Sequence, residues 1–265
     1  MRADVALYSR GLSPSREAAK KAIEAGLVRK NGALLKKPSE DVAEGDVLAV
    51  SGQVHPYVGR GGLKLERAME LFRVDAEGIV VVDVGASTGG FTDVLLRRGA
   101  RKVYAVDVGA GQLAPSLRED PRVINMEHTN ARYLSPEMFP EIPRLAVMDV
   151  SFISVKLILP ALFSLLSEEG RAICLIKPQF EAGREALGKR GIIRDEKVWE
   201  RVLSDICRFA AQHGWAAEHL CTSPIAGGDG NIEFLADFMP NGRAISEDAI
   251  REAALSAKRG EGLSL

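Results

Sequence analysis

Cysteine is scarce in this sequence, with Cys174, Cys207 and Cys221 the only three among 265 residues. They are far apart, and none lies in a Cys-x-x-Cys pair or a Cys/His cluster. The spacing therefore favours neither a disulfide framework nor a zinc site. We expect reduced thiols, no bound metal and a cytoplasmic protein.

Long apolar runs are scarce as well. The N-terminal MRADVALYSRG lacks the continuous apolar stretch of a signal peptide. The most apolar later run, LILPALFSLL at residues 157–166, has about half the length that a membrane-spanning helix needs and contains Pro160. It is predicted to form a core helix, and no membrane partner is expected.

Net charge is small, at −1, but it is unevenly distributed. Residues 1–39 contain nine Lys or Arg against three Asp or Glu, a local excess of +6, so the rest of the chain carries −7. A basic end on an otherwise acidic protein is typical of nucleic-acid contact. A solvated charged helix gives the same pattern, so charge alone leaves both interpretations open.

The basic N-terminal segment has the signals of a small α+β module. A helix is predicted after Ser13 or Ser15 as the N-cap and before Gly26. Asn31-Gly32 then separates two short apolar segments, which predicts a hairpin, and DVLAV adds a strand. Helix, basic helix and hairpin strands in this order resemble the S4 RNA-binding module.

That resemblance divides the chain into three parts. Residues 1–55 are expected to form the S4-like RNA-binding domain, residues 56–62 a linker, and residues 63–265 the second domain. Within the linker, GRGG is too rich in glycine for regular structure, and helical apolar spacing begins at Leu63. Basic side chains of the first two parts are expected to contact RNA phosphates; they are Arg16, Lys20, Lys21, Arg29, Lys30 and Arg60.

Beyond residue 78, apolar strand segments alternate with helical ones. This alternation predicts an α/β fold, a Rossmann-like and mostly parallel sheet with helices on both faces. The last two strand segments, WAAEHLC and NIEFLADF, are joined by the turn-rich TSPIAGGDG without a helix, so we expect them to pair antiparallel.

The stretch VVVDVGASTGGFTDVLL at residues 80–96 is a strand, a glycine loop and a helix in succession. A dinucleotide loop needs G-x-G-x-x-G, but Ser87 stands where the second glycine belongs. A P-loop needs a lysine where Phe91 stands. The loop is therefore not expected to bind NAD or a nucleoside triphosphate.

A positively charged ligand without phosphate fits the acids around this loop better. Asp83 leads into the loop, where a carboxylate can face an ammonium or sulfonium group, and Asp107 ends the next strand, where an acid commonly binds ribose hydroxyls. S-adenosylmethionine has these groups and no phosphate. The alternative is a structural turn with a capping aspartate.

Five ordered motifs carry a closer resemblance: DVGASTGGFTDVLL, YAVDVGAGQL, MDVSFIS, IKPQFE and SPIAGGDGNIEFL. Together they resemble the TlyA-type haemolysin A family, S4-containing ribosomal RNA 2′-O-ribose (cytidine) methyltransferases with an FtsJ-like catalytic domain. The resemblance covers residues 1–240 and implies a class I methyltransferase sheet, S-adenosylmethionine as cofactor and ribosomal RNA or ribosomal subunits as partner. Residues 241–265 carry no motif of the family.

The resemblance also implies functional residues. A Lys-Asp-Lys-Glu catalytic tetrad falls on Lys64, Asp149, Lys177 and Glu233. Cofactor contacts fall on Asp83, Gly85, Ser87, Gly89, Gly90, Phe91, Asp107 and Asn130.

The reaction itself asks for such a tetrad. A ribose hydroxyl is a weak acid, so a base must take its proton as the hydroxyl attacks the methyl group. A lysine can serve once it has lost its own proton, which burial beside another cation favours. We therefore expect Lys177 to be the base, with Lys64 as the neighbouring cation and the two acids orienting the ammonium groups.

Each member of the tetrad also has a structural interpretation. Lys64 can be one more basic residue beside RNA, and Asp149 can cap a helix. Lys177 can mark the end of a strand before proline, and Glu233 can be a charge on a sheet edge. Two rival functions stay open: a membrane-active haemolysin, which the family name suggests, and a non-catalytic RNA-binding factor in ribosome assembly.

Overall fold

The computed structural model describes residues 1–13, 15–24, 26–51, 55–188 and 191–262. The chain forms two compact units, one ending at Pro56 and the other beginning at Tyr57. Pro14, expected in the first turn of the second helix, lies outside the described residues.

The N-terminal unit is a small α+β module. Its elements are α1 (Ala3–Ser9), α2 (Arg16–Glu24), β1 (Val28–Lys30), β2 (Ala33–Leu34) and β3 (Leu48–Val50). The strands form an antiparallel sheet in the order β2-β1-β3. Buried alanines and aliphatic side chains of both helices, including Leu7 and Ile23, pack with Val28 and Leu35 into one core.

Two local sequence signals of this unit are confirmed. Ser15 caps α2, since its Oγ accepts a hydrogen bond from the Ala18 amide at 3.1 Å. Asn31 and Gly32 have φ of 51° and 82° and form the two-residue turn between β1 and β2. Both residues are left-handed, as a turn that matches the twist of a hairpin requires.

The second unit contains a seven-stranded sheet in the order β6-β5-β4-β7-β8-β10-β9. Its strands are β4 (Val80–Val84), β5 (Lys102–Val106), β6 (Val123–Met126), β7 (Leu145–Met148), β8 (Arg171–Ile176), β9 (Trp215–Thr222) and β10 (Phe234–Pro240). β10 is antiparallel to both of its neighbours, and the other pairs are parallel. The predicted antiparallel pairing of the last two strands is confirmed.

Helices cover both faces of this sheet, as predicted. They are α3 (Gly61–Phe72), α4 (Gly90–Arg97), α5 (Pro115–Arg118), α6 (Leu159–Leu165), α7 (Pro178–Glu181), α8 (Glu196–Gln212) and α9 (Glu247–Lys258). Residues of α3, α4 and α5 share one hydrophobic cluster, and residues of α6, α8 and α9 share the other. Along β4, Val80, Val82 and Val84 belong to the cluster of α6, α8 and α9, whereas Val81 belongs to the cluster of α3, α4 and α5. Side chains of a strand alternate between its two faces in this way.

Two predicted boundaries were wrong. The GRGG segment was expected to be irregular up to Leu63, but α3 begins at Gly61. A Cβ at Gly62 would lie 2.5 Å from the Tyr57 ring, so the glycine allows close packing inside the helix. NIEFLADF was expected to be strand throughout, but β10 begins at Phe234, so Glu233 precedes the strand.

Candidate active site

Charged side chains meet at one edge of the second sheet because of its strand directions. Asp107 follows β5, Asp149 lies just after β7, and Lys177 follows β8; these strands are parallel, so their carboxyl ends share an edge. β10 runs the other way, and its first residue Phe234 pairs with Ile176 at the end of β8. Glu233 is thereby brought beside Lys177.

The four residues of the expected tetrad form one chain of alternating charges. Lys64, from the first turn of α3, places its Nζ 2.5 Å from Glu233 Oε2 and 3.9 Å from Asp149 Oδ2. Lys177 Nζ lies 2.6 Å from Asp149 Oδ1. Both lysines and Glu233 are buried, whereas Asp149 is partly exposed. Each buried charge has a partner of opposite sign, as burial of charged groups requires.

Glu233 is nearly inaccessible to solvent. Burial raises the pKa of Glu233 above its usual range, and the Lys64 ammonium partly opposes this shift by attraction and hydrogen bonding. A buried carboxylate without a partner would not be stable, and Lys64 is that partner. The burial of Glu233 is inconsistent with the alternative in which it is an ordinary charge on a sheet edge.

Two adjoining cavities open at this edge of the sheet. The larger has a volume of about 540 Å³ and the smaller about 240 Å³, and Gly85, Ser87, Asp149 and Ser151 line both. Lys177 lines the smaller cavity. Lys64 and Glu233 are not among the described residues that line either one. Within the tetrad, Asp149 and Lys177 therefore face open space.

Most of the expected cofactor residues surround these cavities. Asp107 and Asn130 line the larger one, and Gly90 and Phe91 line the smaller one. The Asp107 carboxylate organises the glycine loop, because Oδ2 accepts from the Ser87 amide at 2.8 Å and Oδ1 from the Gly109 amide at 2.7 Å. Asn130 Oδ1 accepts from the Arg132 amide at 3.1 Å.

Gly85 is required by a close backbone approach, and Gly89 by its left-handed backbone conformation. Gly85 has φ of 82°, and a Cβ there would lie 2.3 Å from the carbonyl oxygen of Asp149. Gly89 has φ of 95°, and a Cβ there would lie 2.2 Å from Leu117 Cδ1. Gly89 is not among the described residues that line the two cavities, so its expected contact with the cofactor stays a prediction.

Asp83 lies beneath the loop and not in the described lining of the cavities. It is fully buried, and its Oδ2 accepts from Thr92 Oγ1 at 2.6 Å. Burial raises the pKa of Asp83 to about 7, with the Thr92 hydrogen bond opposing and the Asp149 charge adding to the shift. The expected contact between Asp83 and a positively charged ligand stays a prediction, while its contact with Thr92 supports the start of α4.

The residues expected to bind RNA differ in their surroundings. Lys21 and Arg29 are exposed, whereas Lys20 pairs with Glu24 at 4.0 Å. Arg16 Nη2 lies 3.5 Å from Asp4 Oδ2, and Lys30 Nζ lies 3.0 Å from Glu40 Oε1. Both basic side chains therefore already form ion pairs within the protein. Arg60 belongs to the second unit, where it lines the smaller cavity together with Lys177.

Sequence reasoning missed several residues of the site. Ser151 Oγ accepts a hydrogen bond from Lys177 Nζ at 2.7 Å, and its position two residues after Asp149 in MDVSF was the available signal. Glu127 Oε1 accepts from the Gln112 amide at 3.0 Å. Hydrogen bonds from the Gly111 amide first, then Asn125, lower the pKa of Glu127 to about 2, so this carboxylate fixes the loop after β5.

Across the residues that the structure describes, no helix is long and apolar enough to cross a membrane. The same residues contain no group of three or more His, Cys, Asp or Glu side chains placed to hold a metal ion.

The fold, a Rossmann-like sheet with a glycine loop after β4, is shared with solved methyltransferase structures. Residues 57–238 match the family of FtsJ-like methyltransferases, and residues 1–48 match the S4 domain. The chain therefore belongs to the FtsJ-like methyltransferase family and has an S4 domain at its N-terminus. S-adenosylmethionine is the cofactor of such methyltransferases, which confirms the predicted cofactor.

Three similar proteins span nearly the whole chain. YqxC of Bacillus subtilis, provisionally named an rRNA methyltransferase, is 52% identical over 88% of this chain and 84% of its own. The 16S/23S rRNA (cytidine-2′-O)-methyltransferase TlyA of Mycobacterium tuberculosis is 43% identical over 95% of this chain and 96% of its own. A solved Streptococcus thermophilus structure, provisionally described as a hemolysin, has a TM-score of 0.78 and 46% identity, covering 98% of this chain and 96% of that one. The resemblance found in the sequence is confirmed.

Proposed function

We propose that this protein transfers the methyl group of S-adenosylmethionine to the ribose 2′-hydroxyl of a cytidine in ribosomal RNA. The observation that carries the proposal is the charge chain Glu233–Lys64–Asp149–Lys177, which ends with Lys177 in a cavity beside the glycine loop. The name of the Mycobacterium tuberculosis relative, which specifies ribosomal cytidine 2′-O-methylation, supports this choice of substrate.

The larger cavity suits S-adenosylmethionine in its charge. Among the described residues that line it, the charged ones are Asp107 and Asp149, and none is a cation. A ligand with phosphate groups would meet two carboxylates there, whereas a ligand with ammonium and sulfonium groups is attracted. Asp107 would hold the ribose hydroxyls, and the Gly85 backbone would pass close to the methionine part.

The bound cofactor supplies an electrophilic methyl group on sulfur. Lys177 in its neutral form accepts the proton of the attacking 2′-hydroxyl, and a general base in this role contributes ~10²–10⁴-fold to the rate. Asp149 and Ser151 fix the direction of the Lys177 amine through contacts of 2.6 and 2.7 Å. Lys64 holds the far side of Asp149 and is itself held by Glu233, so the order of the charge chain keeps the base aligned with the cavity.

The S4 domain gives this reaction its RNA contact. Exposed Lys21 and Arg29, and Lys20 beside Glu24, offer positive charge to phosphates, which position an RNA without reading its sequence. Arg60 would offer a further phosphate contact at the rim of the smaller cavity. Ribosomal subunits are therefore the proposed partner, and the cytoplasm is the proposed place of action.

The test is transfer of labelled methyl from S-adenosylmethionine to purified small and large ribosomal subunits, followed by mapping of the modified nucleotide. We expect 2′-O-methylcytidine, identified by resistance of the adjoining phosphodiester bond to alkali. A product on a base, or binding of cofactor and RNA without any product, would overturn the proposal. The latter outcome would support the RNA-binding assembly factor, and leakage of liposomes by the purified protein would support the haemolysin.

A further inference from the structure

The loop 149–155 connects β7 to the next helical turn and forms one wall of the cavities. Asp149, Val150, Ser151, Phe152 and Ile153 all line the larger cavity. Phe152 has φ of 64°, a left-handed conformation that costs an aromatic residue free energy, and 88% of it is exposed. A loop with this conformation keeps its shape only if contacts on both sides fix it.

The first half of the loop is fixed by Lys177. Its Nζ lies 2.6 Å from Asp149 Oδ1 and donates to Ser151 Oγ at 2.7 Å. The contact with Asp149 is part of the charge chain, and the bond to Ser151 extends it along the loop.

The second half of the loop is fixed by Glu181. Oε2 of Glu181 accepts from Ser154 Oγ at 2.6 Å, and Oε1 accepts from the Val155 amide at 2.7 Å. Glu181 is the last residue of α7, and Lys177 immediately precedes that helix. One short, rigid segment therefore carries both groups that hold the loop.

The environment of Glu181 shows that both of its oxygens are engaged. Burial raises the pKa of Glu181, and the bonds from Ser154 and Val155 oppose this shift, with a smaller contribution from Lys156. A buried carboxylate is costly unless such bonds satisfy it. Glutamine has one acceptor oxygen and one amino group, so it removes the negative charge from both bonds and keeps the second contact only if the Ser154 hydroxyl turns to accept.

We propose that Glu181 is a positioning residue that fixes the cavity wall 149–155 relative to Lys177. The expected effect on methyl transfer rests on the proposed function. The effect on the wall itself does not, because the same wall borders the larger cavity whatever reaction occurs there. The simpler alternative is a local cap. Ser154 begins a short helical turn at Val155, and a cap would stabilise that turn without affecting the loop before it.

Glu181→Gln separates these two roles, with Glu185→Gln, the same substitution at an exposed residue in the turn that follows α7, as the matched control. We expect hydrogen exchange of the backbone amides of residues 150–153, which Glu181 does not bond directly, to become about tenfold faster, which is ~1.4 kcal/mol of local opening. We also expect weaker binding of S-adenosylhomocysteine and a single-turnover methyl transfer ~10²-fold slower, the scale of a misplacement of about 1 Å.

Ser154→Ala provides a second test that leaves Glu181 in place. It removes one of the two bonds, so a smaller change in the same three measurements is expected. In the double variant the effects should not add, because both substitutions act on one contact. If Glu181→Gln does not fold, the Ser154→Ala result decides the question.

Wild-type exchange in residues 150–153 and wild-type cofactor affinity would overturn the proposal, even if the melting temperature fell and the Val155 amide exchanged faster. That combination would assign Glu181 to the local cap. If the wild-type protein itself transfers no methyl group to RNA, the proposed function fails, while exchange and S-adenosylhomocysteine binding still decide the role of Glu181.

Discussion

At the scale of single residues, the two lysines of the site face different surroundings. Lys64 lies between Glu233 and Asp149, away from the described cavity lining. Lys177 contacts Asp149 and Ser151 and also lines the smaller cavity. This difference supports Lys177 as the residue that meets substrate and Lys64 as the cation that orders the acids.

Lys177→Arg tests the base directly. Arginine keeps the positive charge but does not lose its proton in a protein, so it cannot accept the hydroxyl proton. We expect the single-turnover rate to fall ~10²–10⁴-fold while cofactor and RNA binding persist. Lys64→Arg should be milder because charge alone is needed there, and exposed Lys197→Arg should have no effect. Near wild-type methylation by Lys177→Arg would show that another group takes the proton.

Asp83 gives a prediction about stability and pH. Its pKa rises from the ordinary 3.8 to about 7 in the folded state, mainly by burial. Between these values the folded protein binds more protons than the unfolded one, so this residue makes the protein less stable as pH rises from about 4 to about 7. Above that range the full cost of an ionised buried carboxylate is present.

Asp83→Asn should therefore change the pH dependence of stability. We expect the melting temperature of the variant, relative to the wild type, to rise between pH 5 and about pH 8, because asparagine does not ionise. Asp248→Asn is the control, since 91% of the Asp248 side chain is exposed. A difference between Asp83→Asn and the wild type that stays constant across this pH range would contradict the raised pKa.

At the scale of elements, the glycine loop is shaped by contacts with neighbouring strands. Gly85 and Ala86 donate their amides to the Val106 carbonyl at 2.9 and 3.1 Å, at the end of β5. Gly85, Ser87 and Gly89 all have positive φ. The loop thus crosses the ends of β5 and β7 in a conformation that side chains at positions 85 and 89 would prevent.

Gly85→Ala should disrupt this crossing, and Gly78→Ala is a matched control. Both glycines have positive φ, but a Cβ at Gly78 meets no atom within 4 Å. Each substitution should cost ~1–2 kcal/mol for the left-handed backbone. Only Gly85→Ala must also displace the Asp149 carbonyl, so only it should weaken S-adenosylhomocysteine binding by about tenfold or more, or ~1.4 kcal/mol. Calorimetry and thermal unfolding of both variants check this; equal behaviour would contradict it.

At the scale of the whole molecule, the two units divide the charge. The basic excess of residues 1–39 falls in the S4 domain, and the acidic remainder includes the carboxylates around the cofactor cavity. RNA is a polyanion and is attracted by basic residues, whereas a cationic cofactor is attracted by carboxylates. Each of the two units carries the charge that suits one of these ligands.

The double substitution Lys20→Ala/Lys21→Ala tests this division. RNA affinity should fall, and the slope of its logarithm against the logarithm of salt concentration should shrink by ~0.9 for each duplex phosphate that the protein no longer neutralises. Cofactor affinity should stay the same. Lys197→Ala/Arg208→Ala removes equal charge from α8 as the control. An unchanged salt slope would show that α2 presents a solvated face and binds no phosphate.

Features that depend on local chemistry can be predicted from the amino-acid sequence. Asn31-Gly32 specified the hairpin, because few other residue pairs adopt two left-handed conformations in succession. The alternation of strands and helices beyond residue 78 specified a layered α/β fold. The family resemblance carried by the ordered motifs implied the candidate tetrad.

Which of these residues meet depends on tertiary packing. Lys64 and Glu233 are 169 positions apart, and their contact depends on the register of β10 against β8. The burial of Asp83, the bond from Lys177 to Ser151 and the hold of Glu181 on Ser154 likewise depend on how loops cross the sheet edge. Local propensity does not encode such distances, because each results from packing between segments that are remote in the chain.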